Sequence, residues 1–91
     1  MNQKQIARIR TKLASMRLAP QKARDLEGVA KKLGRKKVNR GKEPVWVNPD
    51  LGVFPLSIPH HGGEDLQIGT KNNILNSLED DLLAWEERLG E

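Results

Sequence analysis

The sequence predicts an α+β fold in which helices cover a three-stranded antiparallel sheet, with the elements in the order α-α-β-β-β-α. Apolar residues recur every three or four positions near both ends of the chain, as they do on one face of a helix. Between residues 35 and 66 this period disappears, and short apolar runs alternate with glycine and proline turns. The 91 residues provide for one domain with one modest hydrophobic core.

Two helices are predicted before the sheet. The first has an apolar face with helical spacing: Ile6, Ile9, Leu13 and Met16. Pro20 interrupts this pattern and suits the first turn of a second helix, where its missing N–H costs nothing. The second helix has its own apolar face, Leu26, Val29, Ala30 and Leu33, and Gly34 is expected to end it. We therefore divide the single compact domain into a basic N-terminal helix, residues 1–18, and a main part, residues 20–91.

Three strands and a last helix are predicted after Gly34. The first two strands are residues 37–39 and 45–47, and residues 53–58 form a third in which Pro55 indicates an edge strand or a bulge. Thr70 is expected to cap the last helix, with Asn72-Asn73 as a competing start. The apolar face of that helix is Ile74, Leu78, Leu82, Trp85 and Leu89. Its acidic residues are assigned to the other faces: Glu79, Asp80, Asp81, Glu86 and Glu87.

The net charge of +4 divides into a basic half and an acidic half. Residues 1–42 contain 14 Lys or Arg and two acidic residues, a net +12, whereas residues 43–91 carry a net −8. The density of positive charge between Lys31 and Lys42 favours a polyanionic partner over a set of solvated helix faces. Charge does not distinguish RNA from DNA, so a DNA-binding pair of N-terminal helices is one alternative. The absence of a short glycine-containing turn between those helices weakens it.

Composition argues against several other classes of protein. The chain has no cysteine, which excludes disulfides and thiolate metal sites and favours a cytoplasmic location. The first residues lack the apolar segment of a signal peptide, and no apolar run approaches the roughly 20 residues that span a bilayer, so no membrane partner is expected. With three aromatic residues in all, a binding surface of stacked aromatic rings is not expected either.

Three sequence blocks occur in a distinctive order. Leu33-Gly34 precedes a basic strand and the turn Arg40-Gly41-Lys42, and the aromatic Trp46 follows closely. The third block is Ser57-Ile58-Pro59-His60-His61-Gly62-Gly63-Glu64-Asp65-Leu66-Gln67-Ile68-Gly69-Thr70, which leads to Ile74-Leu75. Together these blocks resemble the HicA toxin family. The resemblance implies a fold like a double-stranded-RNA-binding domain, with the basic helix before Pro20 as an addition to the minimal family pattern.

The resemblance also implies an activity. HicA-type toxins are endoribonucleases that cleave mRNA without a metal or cofactor, and a HicB-type antitoxin protein neutralises them. Their catalytic histidine usually lies three places before the strand aromatic, and in this chain that position is Glu43. A non-catalytic RNA-binding module of the same fold therefore stays open as the alternative.

Metal-independent RNA cleavage needs a base, an acid and positive charge near the phosphate. Glu43 is a candidate base, although Arg40 and Lys42 beside it favour a charged, weakly basic carboxylate. His61 matches a family histidine, and His60 adjoins it, so both are candidate catalytic residues. The competing interpretation is that these histidines fix the loop through hydrogen bonds to its carbonyls. Two adjacent histidines lack the usual spacing of zinc ligands, so no metal site is expected.

Six residues are candidates for RNA contacts: Arg40, Lys42, Lys36, Lys37, Trp46 and Lys71. The cationic side chains would bind phosphates, and Lys71 would act beside the free N–H groups at the start of the last helix. Trp46 would stack on a base, but its place between two valines of a strand is more typical of a core residue.

Overall fold

The structure is a computed structural model that describes residues 1–41, 43–59 and 63–90. Within these residues the helices are α1 (Gln3–Met16), α2 (Ala23–Lys32) and α3 (Ile68–Leu89), and the strands are β1 (Lys36–Arg40), β2 (Glu43–Val47) and β3 (Leu56–Ser57). The strands form an antiparallel sheet in the order β1-β2-β3. The predicted α+β class and element order are confirmed. No helix in the described part of the chain is long and apolar enough to cross a membrane.

Helix α1 begins at a capping box. The side chain of Asn2 accepts a hydrogen bond from the Gln5 N–H, and the Gln5 side chain accepts one from the Asn2 N–H, each at 2.9 Å. These bonds satisfy two N–H groups at a terminus where no helical carbonyl is in reach. The predicted apolar face of α1 is confirmed, since all four of its members are buried: Ile6, Ile9, Leu13 and Met16.

Helix α2 begins later and ends where predicted. Its N-cap is Lys22, so Pro20 lies before the helix and the prediction that it occupies the first turn is wrong. The Asp25 carboxylate accepts the Lys22 N–H at 2.9 Å and places negative charge at the positive end of the helix dipole. At the other end Gly34 has φ +97° and donates to the Lys31 carbonyl, while Arg35 donates to the Ala30 carbonyl. This is a Schellman motif, which needs a residue that tolerates positive φ.

Gly34→Ala is expected to lower the free energy of unfolding by about 1–2 kcal/mol, because an L side chain is strained at this φ. A Cβ there would also lie 3.3 Å from the Asn48 side-chain amide. Gly28, inside α2, is the matched control: a Cβ there meets nothing within 4 Å, so Gly28→Ala should stabilise by about 0.4–1 kcal/mol. Urea denaturation of the two variants measures both effects, and changes of the same sign would contradict this account.

The third strand is shorter than predicted. β1 and β2 pair over five residues each, from Lys36 opposite Val47 to Arg40 opposite Glu43, whereas β3 contributes two pairs to β2. Residues 53–55 lie outside the ladder. Pro55 has no N–H to donate, and the carbonyl of Phe54 accepts a hydrogen bond from Arg35 at 3.1 Å instead. The edge position that Pro55 indicated is confirmed.

The hydrophobic core lies between the three helices and one face of the sheet. That face contributes Trp46 and Leu56, which are neighbours across β2 and β3. Helix α3 contributes Ile74, Leu75, Leu78 and Leu82. Its N-cap is Gln67, so it starts before both Thr70 and Asn72, and neither predicted start is correct. Trp85 is half-buried against the core and donates to the Leu33 carbonyl at 2.8 Å, whereas Leu89 is exposed, contrary to the predicted apolar face.

A buried ion pair crosses this core. The Arg35 guanidinium donates to both Asp81 carboxylate oxygens, Nε to Oδ2 at 2.6 Å and Nη2 to Oδ1 at 2.9 Å. Its Nη1 also donates to the Trp46 carbonyl at 2.7 Å. Burial raises the pKa of the Asp81 carboxyl, while the hydrogen bond and positive charge of Arg35 act in the opposite direction. Asp81 was expected on a solvent-facing side of the last helix, and that expectation is wrong because Asp81 is fully buried.

Candidate nucleic-acid interface

Of the six residues predicted to contact RNA, Lys36 and Lys37 are the two whose side chains are both described and exposed to a polyanionic partner. Both are exposed on β1, which lies at an edge of the sheet. Because side chains alternate along a strand, the two lysines extend to opposite sides of the sheet. Lys37 lies opposite the buried Trp46 and Lys36 opposite Val47. The two amines therefore flank the strand edge rather than forming one flat surface.

The turn after β1 is the centre of the predicted site. The backbone register pairs Arg40 with Glu43, and Gly41 has φ +70°. A positive φ at this place is what the tight turns of β-hairpins require. Lys42 lies outside the described residues, and so do the side chains of Arg40 and Glu43. Their predicted roles in phosphate binding and catalysis stay predictions.

His60 and His61 also lie outside the described residues, but the chain on both sides of them is described. After the pair, the Gly63 carbonyl accepts a hydrogen bond from the Lys22 amine at 2.8 Å. The Leu66 N–H donates to the Gln21 carbonyl at 2.8 Å. This part of the loop is therefore attached to the residues that precede α2.

Before the histidine pair, the direction of β3 determines where the chain leads. Val45 pairs with Ser57 and Trp46 with Leu56, so β3 runs antiparallel to β2. The observed pairing ends at Ser57, which lies opposite Val45, two positions from Glu43 at the start of β2. Strand β3 thus runs toward the end of the sheet that carries the β1–β2 turn. Ser57, the first residue of the histidine-containing block, is therefore paired with the strand that follows the β1–β2 turn.

Lys71 does not belong to an RNA-binding surface. It is 5% exposed, and its amine donates to the carbonyls of Arg17 and Ala19 at 3.0 Å each. These carbonyls follow the last turn of α1, where no further helical N–H is available to them. Lys71 therefore holds the α1–α2 connection against α3. The expectation of a phosphate contact fails because the amine is already buried on protein acceptors.

Trp46 is a core residue. Its side chain is 1% exposed, and the Lys31 amine lies 5.8 Å from the centre of its ring. No face of the indole is open to a stacked base. Of the two roles considered for Trp46, the structural role agrees with this burial and the stacking role does not.

The acidic helix α3 partly compensates the basic helix α1. Glu86 pairs with Arg10, and Glu79 pairs with Arg17 at 3.0 Å. The Asn76 side chain also accepts from Arg17 at 2.6 Å. Ordinary solvation was the expected role of these acidic residues, and two of them instead join α3 to α1. The flank of α1 that faces α3 therefore offers little net positive charge to a partner.

Comparison with known proteins gives no relative from which a role can be transferred. No protein-family model matches the chain, and no significantly similar curated protein or solved structure is found.

Proposed function

We propose that this chain is an RNA-directed toxin of the HicA type, which binds and cleaves mRNA and is neutralised by a HicB-type antitoxin. The observation that carries the proposal is the pairing of β3 with β2, which directs β3 toward the end of the sheet that carries the β1–β2 turn. The histidine-containing block begins at Ser57, the last residue of β3, and the turn between β1 and β2 contains Arg40-Gly41-Lys42. Both blocks are parts of the HicA-like pattern of the sequence, and the antiparallel register supports their acting together.

The element order supports the proposal at the level of the fold. Without α1, the chain has the order α2-β1-β2-β3-α3, with a three-stranded antiparallel sheet. A domain like those that bind double-stranded RNA has this α-β-β-β-α order, and we propose that residues 20–91 have that arrangement. In this interpretation α1 is the additional basic helix, and its apolar face completes the same core.

The proposed reaction needs no metal. The ribose 2′-oxygen attacks the adjacent phosphorus, and the bond from phosphorus to the 5′-oxygen of the next nucleotide breaks. A base removes the 2′-OH proton and an acid protonates the departing oxygen, leaving a 2′,3′-cyclic phosphate and a 5′-hydroxyl. We assign the base to Glu43 and the acid to His61, with His60 as the neighbouring candidate. Arg40 and Lys42 would stabilise the negative charge that develops on the phosphate oxygens.

Expression of the chain by itself in bacteria should slow growth and degrade mRNA, and co-expression of a HicB-type antitoxin should restore growth. Lys42→Ala should relieve the toxicity, because this change removes a phosphate contact at the proposed site. Arg24→Ala removes an exposed cation from α2 and serves as the matched control, which should stay toxic. Growth curves and total RNA profiles are the measurements.

A non-catalytic RNA-binding module of the same fold is the second candidate function. Glu43 favours it, since that position usually carries the catalytic histidine in HicA-type toxins. Unaffected growth and intact mRNA on expression of the wild-type chain would refute the toxin proposal, and RNA binding by the purified chain would then favour the module.

A further inference from the structure

A groove lies between α1 and α2, with a volume of about 440 Å³. Its base includes the buried side chains of Ile9 and Val29. Three exposed cationic residues line it, Arg8 and Lys12 from α1 and Lys32 from α2, and the remaining lining residues are Met1 and Gln5. None of the residues that line the groove is acidic. The groove therefore combines an apolar base with positive charge contributed by two helices.

The positive charge of the groove is not compensated within the described part of the chain. The ion pairs of α1 that the structure describes are Arg10 with Glu86 and Arg17 with Glu79, both directed to α3. Within residues 1–41, 43–59 and 63–90 no carboxylate lies at salt-bridge distance from Arg8, Lys12 or Lys32. The acidic helix thus neutralises one flank of α1 and leaves the flank toward α2 positive.

We propose that this groove binds the phosphodiester backbone of RNA, as a contact surface additional to the β1–β2 turn. Arg8 and Lys12 are four residues apart, which places them on one side of α1 and about 6 Å apart along its axis. Both can therefore contact a strand that lies along the groove, with Lys32 on the opposite wall. The choice of RNA as the polyanion rests on the proposed function, whereas the positive groove itself does not.

Gly28 leaves room for a close approach to α2. It precedes the groove residue Val29 and lies four residues before Lys32, on the same side of the helix. Glycine destabilises the interior of a helix, yet a Cβ at this position would meet nothing within 4 Å. Packing inside the chain therefore does not require a glycine here. The missing side chain does allow a nucleic-acid backbone to come nearer to α2.

The test compares two double variants that each remove two positive charges. Arg8→Gln/Lys32→Gln changes both walls of the groove, while Arg24→Gln/Arg88→Gln changes exposed arginines that do not line it. Both are made in the His61→Ala chain, so that the RNA stays intact during titration. Fluorescence anisotropy with a short labelled single-stranded RNA, between about 50 and 200 mM salt, measures affinity and its salt dependence.

The groove variant should bind RNA about tenfold more weakly, and the slope of log affinity against log salt should fall by about 0.7 for each lost contact. The control variant should change much less in both quantities. Gly28→Ala should weaken binding while it makes the protein harder to unfold, a combination that a purely structural role would not produce. Circular dichroism of each variant verifies folding.

Equal losses in the two double variants would overturn the proposal, because net charge and not the groove would then attract the RNA. Single-stranded DNA of the same sequence that bound with equal affinity and the same dependence on the groove would overturn the assignment to RNA. Failure of the proposed function is recognised separately. If the chain neither slows growth nor degrades mRNA, but the groove variant still loses RNA affinity, the toxin proposal fails and the groove proposal stands.

Discussion

Asp81→Ala is expected to lower the free energy of unfolding by about 3–5 kcal/mol, the effect of leaving a buried charge without its partner. Arg35 is 3% exposed and would keep its guanidinium in the core after the carboxylate is removed. The carbonyls of Trp46 and Phe54 accept hydrogen bonds from one nitrogen of this group, but they do not replace the two lost bonds to Asp81. Urea denaturation monitored by tryptophan fluorescence measures the change.

The matched control is Arg35→Met/Asp81→Leu, which removes both charges and keeps apolar volume in the core. This double variant should be more stable than Asp81→Ala, because a buried ion pair contributes little net stability when both partners are replaced by apolar side chains. Asp80→Ala is a second control, since Asp80 is exposed and should change stability by less than about 0.5 kcal/mol. Equal stability of Asp81→Ala and Asp80→Ala would contradict the buried ion pair.

His61→Ala is expected to slow RNA cleavage by about 10²–10⁴-fold, the usual contribution of a positioned general acid or base. The physical reason is that the 5′-oxygen leaves as a strong base unless a proton reaches it. The measurement is the single-turnover rate of cleavage of a labelled mRNA fragment. Glu64→Ala is the control from the same segment, because Glu64 is exposed and has no assigned role.

The same experiment distinguishes the two histidines. A large loss in His60→Ala with an unchanged rate in His61→Ala would assign the acid to His60 and contradict the assignment made here. Unchanged rates in both variants would agree with the interpretation that the histidines only shape the loop. The affinity for RNA should stay near that of the wild type in His61→Ala, since the lost group acts on the leaving oxygen.

The apolar spacing predicted the helices well, because burial of one helix face is a local property of the sequence. It did not predict the polar residues that lie on the same face. Asp81 is seven residues after Ile74, and Lys71 is three residues before it, so both occupy positions of the buried face of α3. A charged residue at such a position needs a buried partner, so this spacing could have predicted that Asp81 and Lys71 each have a buried polar partner. The identity of the partners, Arg35 and the carbonyls after α1, depends on tertiary contacts that spacing does not encode.

The candidate site was harder to predict than the fold. Sequence density of positive charge pointed to residues 31–42, yet it did not show that α1 and α2 form a cationic groove. Charge along a sequence says nothing about which cations are paired, and Arg10 and Arg17 are compensated by α3 whereas Arg8 and Lys12 lie in the groove. The extent of β3 was overestimated because an extended apolar segment need not find a partner for every N–H.

Incubation of the purified wild-type chain with mRNA in the presence of EDTA tests the proposed metal-independent endoribonuclease activity directly. Cleavage should persist without divalent metal and give fragments with 2′,3′-cyclic phosphate and 5′-hydroxyl ends. Messenger RNA that stays intact in the presence and absence of metal would contradict the proposed endoribonuclease.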